Sequence, residues 1–487
     1  MAQISFTADP QNWIAQAQTV VVVARKADLL AGWPLAGLPD GVKDIAARLA
    51  ADAKPAMGAV TTSLLPPGGA KQLVLIALHD QISRHLSETR ALEIYLALRG
   101  VARPDSGKVA ILVGLAAGDQ AEGTAMAIGR SYPLYSRKAG AKPASGEIAV
   151  HLTTVNGPVA IGSGVLAAAA DAVRLAARLV DMPTAELDTA VFEREAISAV
   201  AGLANVTTQA IIGDELLTHG LRGLHAVGRT AMVAPRLVIL DYNPPDAQGE
   251  AVALIGKGLV YDTGGLFLKT VDSRMLTMKC DMGGAAAVLG AFVLLAKSGI
   301  HKRVIAALSM AENAIGPDAY RPDDVIEMHS GKTMEVNNTD AEGRIALADA
   351  ASYIARNFPV QVLIDAATLT GAQLIATGKY HAGIVTNDPG LEDAAVRAGL
   401  TSGDHCMPLL YSPELHTSEF KSSVADMRNS VADRMNAPSS ASGLWVYLHI
   451  DDLGLRWLHI DLAGPAFVDN RGTGYGVGLI QHLVRAI

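Results

Sequence analysis

The chain has 487 residues, of which 50% are hydrophobic and 18% are charged, and this composition predicts a globular protein of two or three domains rather than a disordered chain or a coiled coil. The formal net charge of -8 provides no overall attraction for nucleic acid or anionic lipid. The 2 cysteines cannot form a disulfide framework and fit a reducing compartment. The N-terminus lacks a basic stretch followed by an apolar run, and the longest uncharged apolar stretch, residues 283–296, is shorter than the ~20 residues that span a bilayer. We therefore expect a soluble cytoplasmic protein with no membrane partner.

The first third of the chain alternates short β-branched runs with helical patterns. Residues 19–24, 73–78 and 108–113 are predicted to be buried strands, and residues 90–99 an amphipathic helix. This alternation predicts a parallel sheet covered by helices. An Ala- and Leu-rich stretch at 163–180 is predicted to be a helix that Pro183 stops. We expect an N-terminal α/β domain at residues 1–155 and a connecting helix within 156–184.

The alternation resumes after the connecting helix. Strands are predicted at residues 236–241, 251–255, 303–308 and 360–364, and helices at residues 285–297 and 345–356. They indicate a larger α/β domain at residues 185–487, with a central mostly parallel or mixed sheet covered by helices. Residues 402–442 are rich in Ser, Asp, Asn and Pro, and so long a segment without periodicity is usually functional or partly mobile.

Three polar clusters lie at predicted strand ends and helix starts of the second domain, where open α/β sheets bind ligands. The first spans residues 256–265 after a predicted strand and is followed by Lys269. The second, residues 279–281, precedes the helix predicted from residue 285. The third, residues 337–344, precedes the helix predicted from residue 345.

Each cluster also has a purely structural explanation. Asp262 and the glycines after it have the composition of an Asx turn. Asp281 could be a helix N-cap, and Thr339 with Glu342 has the spacing of a capping box. Arg344 could be a solvated charge. Taken singly, none of these residues establishes a function.

Taken together, the clusters bring four carboxylates and two lysines into segments that are otherwise apolar. They are Asp262, Asp281, Asp340, Glu342, Lys257 and Lys269. Burying so many acids without compensation is prohibitive, whereas divalent cations neutralise them. The oxygen-rich donor set suits Mg²⁺, Mn²⁺ or carboxylate-bridged Zn²⁺, and two ions fit four acids better than one. Two such ions lower the pKa of a bridging water and polarise a carbonyl or phosphoryl group, so the predicted chemistry is hydrolysis.

Other chemistries fit the sequence less well. Residues 256–258 lack the frame of a P-loop, and no Gly-x-Ser-x-Gly nucleophile elbow is present. His329, His405 and His459 fit structural or surface positions better than metal ligands.

Residues 340 and 342 are two apart and share one side only in an extended segment, so we predict a loop or strand there if both bind metal.

Residues 338–344, Asn-Thr-Asp-Ala-Glu-Gly-Arg, match the signature of the leucyl aminopeptidases, which are cytosolic two-metal exopeptidases. The Gly-Lys-Gly and Asp-Thr-Gly-Gly segments within 256–265, with Lys269, resemble further motifs of that family, and so does Met-Lys-Cys-Asp-Met at 278–282. Weaker similarity covers most of residues 180–487. Residues 1–150 agree only in general pattern.

The resemblance implies two divalent ions per subunit, Zn or Mn with Mg as a further option, and a ligand role for each acid. Asp262 and Glu342 would bridge the two ions. Asp340 would complete the more loosely held site, and Lys257 with Asp281 would complete the tighter one. A lysine ligand must be a neutral amine, so the adjacent dication would have to depress its pKa.

The resemblance also implies the catalytic groups and the substrate. Lys269 would stay protonated and stabilise the oxyanion, and Arg344 would hold a bicarbonate that acts as general base. Thr368, Leu369 and Gly371 would line the substrate cleft. The free α-amine of a peptide would bind one metal, which makes the enzyme an aminopeptidase with a leucine-type preference that acts through a metal-bridging water. The family further implies a homohexamer.

One departure and two alternatives stand beside this interpretation. Between residues 262 and 281 the chain has one residue more than the usual family spacing, near 271–274, and Thr270 replaces the usual proline. We expect this to affect substrate preference more than metal binding. The alternatives are a dipeptidase for substrates such as Cys-Gly, and a non-catalytic scaffold or nucleic-acid-binding member of the fold. Intact Lys269 and Arg344 and the negative net charge argue against the second.

Overall fold

In the computed structural model the protein is described over residues 2–67, 69–101, 107–139, 146–270 and 275–487. The chain folds as two units, one of Met1–Arg174 with Gly399–His405 and the other of Leu175–Ala398 with Cys406–Ile487. The domain boundaries given above, 1–155, 156–184 and 185–487, stay predictions. The extra residue assigned to 271–274 lies outside the described residues.

The first unit contains a sheet of 7 strands in its described part. The strands are β1 (Gln3–Phe6), β2 (Thr19–Arg25), β3 (Thr61–Leu64), β4 (Gln72–Leu78), β5 (Lys108–Gly114), β6 (Glu147–Thr154) and β7 (Gly157–Pro158). The helices are α1 (Gln11–Gln16), α2 (Lys26–Ala31), α3 (Asp40–Asp52), α4 (Ala91–Leu98) and α5 (Ala121–Ser131), and α6 (Ser163–Asp181) begins in this unit.

The order of this first sheet is β1-β6-β5-β2-β4-β3, with β7 beside β6. The pairs from β1 through β4 are parallel, and β3 joins antiparallel. Along β2, Val21 and Val23 enter one apolar core while Val20 and Val22 enter another. Both faces of the strand are therefore covered, which is why its sequence is continuously apolar. The predicted parallel sheet is confirmed.

The second unit contains a sheet of 8 strands in its described part, in the order β16-β15-β18-β14-β10-β11-β9-β8. Its strands are β8 (Val206–Ile212), β9 (Arg236–Tyr242), β10 (Val252–Asp262), β11 (Val304–Asn313), β14 (Val362–Ala367), β15 (Ala382–Thr386), β16 (Cys406–Pro408) and β18 (Arg456–Asp461). Smaller sheets are formed by β12 (Val325–Glu327), β13 (Thr333–Glu335) and β17 (Met427–Arg428), and by β19 (Phe467–Val468) and β20 (Arg471–Gly472).

The helices of the second unit follow the strands in the predicted alternation. They are α7 (Thr189–Val200), α8 (Glu215–Thr218), α9 (Arg222–Gly228), α10 (Gly283–Lys297), α11 (Glu342–Asn357), α12 (Gly371–Ala376), α13 (Pro389–Ser402), α14 (Pro413–His416), α15 (Pro438–Tyr447) and α16 (Val477–Ala486). The last residues of α13 belong to the first unit. The predicted two-domain α/β class with a mixed sheet is confirmed.

The parallel centre of the large sheet positions the polar clusters. Strands β18, β14, β10 and β11 are mutually parallel, so their carboxyl ends lie at one edge. Asp262 ends β10 opposite Asn313 of β11, and Asp461 ends β18 opposite Ala367 of β14. Helices α10 and α11 begin near this edge, after the second and third clusters. Distant polar segments therefore meet where ligands bind in such sheets.

The strand predicted at residues 251–255 continues to Asp262, so the prediction that residues 256–262 follow the strand was wrong. Two glycines interrupt the apolar run, so the sequence pattern did not predict that the strand continues. A Cβ at Gly256 would lie 2.5 Å from Ala285 Cα, and one at Gly258 would lie 2.8 Å from the Ser309 carbonyl. Glycine is needed at these positions because neighbouring backbone passes so close. Lys257 is therefore fixed inside a buried strand.

One helical segment, Met278–Lys297, is long and apolar enough to cross a membrane by length and composition. Inside the protein, 89% of its apolar window is buried. Helix α10, which forms most of this segment, packs on β10 and on α16. This burial is typical of a core helix.

Candidate metal centre

Three predicted metal ligands converge at the carboxyl edge of the large sheet. Asp262 ends β10, Asp340 lies in the turn before α11, and Glu342 is the first residue of α11. One carboxylate oxygen from each residue lies within 4.8 Å of the other two. A loop or strand was predicted over residues 340 and 342. The prediction is wrong for Glu342, because α11 begins at this residue, whereas Asp340 lies in a turn. The two acids nevertheless reach one point because the turn at Asp340 precedes the helix.

Two lysines divide the four predicted acids between them. Lys257 Nζ lies 2.8 Å from Asp281 Oδ2 and 3.0 Å from Glu342 Oε1. Lys269 Nζ lies 2.8 Å from Asp262 Oδ2 and also contacts Asp340. The structure thus brings together both predicted lysines and all four predicted acids.

Negative charge predominates in this buried cluster. Burial raises the pKa of Asp262 and raises that of Asp281 well above its ordinary value. Burial and the charges of Glu342 and Asp262 raise the pKa of Asp340 to about 6. Glu342 is the exception, because the charges of Lys257 and Lys269 outweigh its burial and lower its pKa. Two monovalent cations therefore do not fully compensate three buried carboxylates and the partly exposed Asp340.

The donor set fits divalent cations. Asp281 Oδ2 and Asp340 Oδ1 are buried and, although each lies beside a lysine, neither has a well-aligned hydrogen bond within the described residues. Oxygen atoms in this state are suited to bind a hard or borderline cation. A divalent ion would also supply the positive charge that the cluster lacks.

Arg344 lies in the first turn of α11 and is 7% exposed. Its Nε and Nη1 have no hydrogen-bond partner in the described part of the chain. Burial lowers the pKa of its guanidinium to about 10, so the group is still a cation at neutral pH. Buried guanidinium donors without partners are suited to hold an anion, and the interpretation of Arg344 as a solvated charge was wrong.

The residues predicted to contact substrate follow strand β14. Thr368, Leu369 and Gly371 line a cleft with a volume of about 440 Å³ that also contains the six charged residues of the cluster. The Thr368 hydroxyl donates to Asp281 Oδ1 at 2.9 Å, and its carbonyl accepts from Lys257 Nζ at 3.1 Å. Thr368 therefore supports two predicted metal ligands besides lining the cleft.

The structural explanations of the clusters have mixed outcomes. Asp262 does form an Asx turn, since its Oδ1 accepts from Gly264 N at 2.8 Å, while its Oδ2 faces Lys269. Asp281 does not cap α10. Thr339 does not cap α11, because its hydroxyl donates to the Gly264 carbonyl and accepts from Phe267 N.

The histidines singled out in the sequence are hydrogen-bonded inside the protein, as predicted. His329 Nδ1 lies 2.9 Å from Ser352 Oγ, and His405 Nε2 accepts from Ser87 N at 2.9 Å. His459 Nδ1 lies 2.5 Å from Asp365 Oδ1. Both cysteines are buried, and neither forms a disulfide within the described residues.

Several polar residues that shape the site were not given a role from the sequence. Asn313 donates to Asp262, and Asn429 holds the backbone of the third cluster. Asp461 accepts from Leu369 N at 3.1 Å and from the Thr370 hydroxyl at 2.7 Å. Asn313 and Asp461 end parallel strands, so their position at strand ends was the signal available.

Comparison with known proteins agrees with this geometry. A sequence profile described as the cytosol aminopeptidase family, catalytic domain, matches residues 174–481. The chain is 44% identical over 416 residues to the probable aminopeptidase NPEPL1 of Mus musculus, covering 84% of this chain and 78% of that protein.

Solved structures are similar over the whole chain. The leucyl aminopeptidase of Trypanosoma brucei in complex with bestatin has a TM-score of 0.90 and 35% identity, covering 100% of this chain and 96% of that one. The bottromycin maturation enzyme BotP in complex with Mn has a TM-score of 0.77 and 28% identity, covering 96% of this chain and 99% of that one. The chain therefore belongs to the cytosol aminopeptidase family and is a metal-dependent aminopeptidase.

Proposed function

We propose that the cleft is the active site of a two-metal aminopeptidase that removes N-terminal residues from peptides, with a leucine-type preference. The observation that carries the proposal is the convergence of Asp262, Asp340 and Glu342 within 4.8 Å, beside the pair of Lys257 and Asp281. Four acids and a lysine amine provide enough donors for two ions, which we take to be Zn or Mn, with Mg as a further option.

The five side chains would share the ions as the family resemblance implies. Asp262 and Glu342 would contact both ions, Asp340 would complete one site, and Lys257 with Asp281 would complete the other. When bound, the pair of ions lowers the pKa of the water between them and polarises the peptide carbonyl. The protein contributes a position in which Asp262, Asp340 and Glu342 already lie close together, with Asp281 joined to Glu342 through Lys257.

Lys257 would have to release a proton when an ion binds. Burial lowers its pKa, but the charges of Asp281, Glu342 and Asp262 raise it by more, so the amine is an ammonium beside these acids. A metal ligand must be the neutral amine, and its proton therefore leaves to water as the ion binds. Metal affinity should accordingly fall as the pH falls.

Lys269 would act as the cation that stabilises developing negative charge. Burial lowers its pKa, but Asp262, Glu342 and Asp340 raise it by more, so the ammonium keeps its proton at neutral pH. It lines the cleft and is held between two carboxylates. A fixed donor of this kind stabilises the oxyanion formed when water attacks a carbonyl.

Arg344 would hold a bicarbonate through Nε and Nη1, for which the described residues offer no hydrogen-bond partner. An oxygen of that anion would accept a proton from the attacking water. Of the groups in the cluster, Glu342 is engaged by Lys257 and Asp340 by Lys269. A separate anion at Arg344 would supply the general base that these paired acids do not.

The walls of the cleft would select the N-terminal side chain. Thr368 presents mainly its backbone, because its hydroxyl is bonded to Asp281. Leu369 and Gly371 continue the wall, and Met278 and Phe467 add apolar surface. Such a lining favours an aliphatic side chain such as leucine over a charged one.

The location, assembly and domain roles are part of the same proposal. We take the protein to act in the cytoplasm as a homohexamer, with peptides as its partners and residues 185–487 as the catalytic domain. The family to which the chain belongs supports these assignments by resemblance.

The proposal is tested by measuring metal content together with activity on a panel of aminoacyl amides and dipeptides. We expect two divalent ions per chain and the fastest release of leucine from leucyl amide. Hydrolysis confined to Cys-Gly would instead favour a dipeptidase. Full activity with fewer than two ions per chain would refute the two-metal assignment.

A further inference from the structure

We infer that Asn313 is a positioning residue that holds Asp262 and Glu342 in the orientation needed to bind metal. The inference rests on the proposed function, since it concerns the two acids assigned to contact both ions. Asn313 is fully buried at the carboxyl end of β11, directly opposite Asp262 in the register of the sheet.

The amide nitrogen of Asn313 faces three acceptors of the cluster. Nδ2 donates to Asp262 Oδ1 at 2.8 Å and to the Thr339 carbonyl at 3.0 Å, and it lies 3.5 Å from Glu342 Oε2. One side chain therefore contacts the end of β10, the turn before α11 and the first residue of α11. These are the segments that supply the carboxylates grouped within 4.8 Å.

The orientation of the amide is fixed by its surroundings. Its Oδ1 accepts no hydrogen bond in the described part of the chain, and it lies close to Gly265, where a Cβ would be 3.0 Å away. If the amide were reversed, its oxygen would face the three acceptors and its two N–H donors would face a glycine. The Asn313 carbonyl accepts from Thr263 N at 3.1 Å and from the Thr263 hydroxyl, which anchors the backbone as well.

A neutral donor suits this position better than a charged one. Gly264 N and Asn313 Nδ2 both donate to Asp262 Oδ1, which sets the plane of the carboxylate and turns Oδ2 towards Lys269. A third ammonium here would compete with an incoming cation, whereas an amide orients the acids without adding charge. Groups that orient metal ligands in this way typically change metal affinity by about 10- to 100-fold when removed.

The chain offers a matched control in Asn429, which is also fully buried beside the third cluster. Its Nδ2 donates to the Asn338 carbonyl at 2.7 Å, and its Oδ1 accepts from Asn337 N at 2.9 Å. Asn429 thus holds backbone of the same segment, and its hydrogen bonds to residues 337, 338 and 341 are all to backbone atoms. Removing either asparagine costs buried hydrogen bonds, but of the two only Asn313 bonds directly to the carboxylate of a predicted metal ligand.

The test is calorimetric titration of Mn²⁺ into chelator-treated full-length protein, with thermal unfolding measured in parallel. For Asn313→Ala we expect Mn²⁺ dissociation constants about 10- to 100-fold above wild type, and for Asn429→Ala a change of less than about threefold with a comparable loss of thermal stability. Asn313→Leu, which fills the space without donors, should reproduce the weakened binding. Wild-type affinity in Asn313→Ala or Asn313→Leu, or equal weakening in Asn429→Ala, would overturn the inference. If the wild type does not take up two ions, it is the proposed function that fails.

Discussion

The two units use similar sheets but balance charge differently at the ends of their strands. In the first unit, Arg25 at the end of β2 lies 2.6 Å from Asp28, and His79 beyond β4 lies 3.1 Å from Glu93. Each of these two acids therefore faces a basic partner. In the second unit, four carboxylates at strand ends and helix starts share Lys257 and Lys269.

This difference shows that the fold alone does not locate the chemistry. Parallel strands and covering helices are common to both units. Charged residues at the ends of such strands can be paired with opposite charges and then leave no surplus charge. A surplus of buried carboxylates is costly unless a cation compensates it. The uncompensated acids, rather than the strand ends as such, mark the proposed metal centre, and the predictions below test that distinction.

The largest effect on activity is expected from removing one of the four carboxylates around Lys257 and Lys269. Glu342→Ala should lower kcat/KM on leucyl amide by at least about a thousandfold even with added Mn²⁺, because several kcal/mol of transition-state stabilisation depend on the ions. The control is Glu93→Ala, which removes a buried but paired carboxylate from the first unit. It should reduce stability while folded molecules keep activity within about twofold. Near wild-type turnover in Glu342→Ala would contradict its assignment as a shared ligand.

A smaller effect is expected from removing a cation of the same cluster. Lys269→Met should lower kcat by about 100- to 1000-fold, as removal of one oxyanion donor does, while the bound metal stays at the wild-type level. Lys108→Met in the first unit removes a lysine that pairs with Glu147 at 3.5 Å and should leave kcat unchanged. Loss of metal in step with activity would show that Lys269 serves the metal site instead of the oxyanion.

One helical glycine in each unit can be compared, because the space available for a Cβ atom differs between them. Gly343 and Gly164 are each the second residue of their helix, but a Cβ at Gly343 would lie 2.5 Å from Lys257 Nζ, whereas one at Gly164 meets nothing within 4 Å. Lys257 is held by Asp281, Glu342 and the Thr368 carbonyl and cannot move without losing these contacts.

Gly343→Ala should therefore weaken metal binding and lower kcat/KM by about 10- to 100-fold, as disturbance of a metal's supporting contacts does. Gly164→Ala should raise the free energy of unfolding by about 0.4–1 kcal/mol through reduced freedom of the unfolded chain. Metal titration and denaturant unfolding measure the two effects. A fully active Gly343→Ala would show that Lys257 has room to rearrange.

Much of the fold and of the cluster of acids and lysines could be predicted because the relevant signals are local. The β-branched run at β2 and the apolar run at α10 give their elements directly, and the motif at 338–344 is contiguous. What the sequence could not provide are contacts between distant segments. The bond from Asn313 to Asp262 spans 51 positions, and that from Thr368 to Asp281 spans 87. Such pairings depend on strand order and register, which local patterns do not encode.

A pH-dependent effect on stability alone is expected from a buried histidine of the second unit. His449 packs on Trp445 and bonds Ser330, and burial lowers its pKa to about 3. Its ordinary pKa is about 6.5, so the folded state binds fewer protons than the unfolded state between these values, and the stability contribution is present above pH 6.5 and lost as the pH falls towards 3. Near pH 5 the loss should be about 2 kcal/mol, and His449→Gln should lose correspondingly less between pH 7 and 5 in thermal unfolding. Parallel curves for wild type and variant would place the acid sensitivity in other groups. Asp262, Asp281 and Asp340 are not among them, because their raised pKa values mean that the folded state binds protons more readily and gains stability as the pH falls.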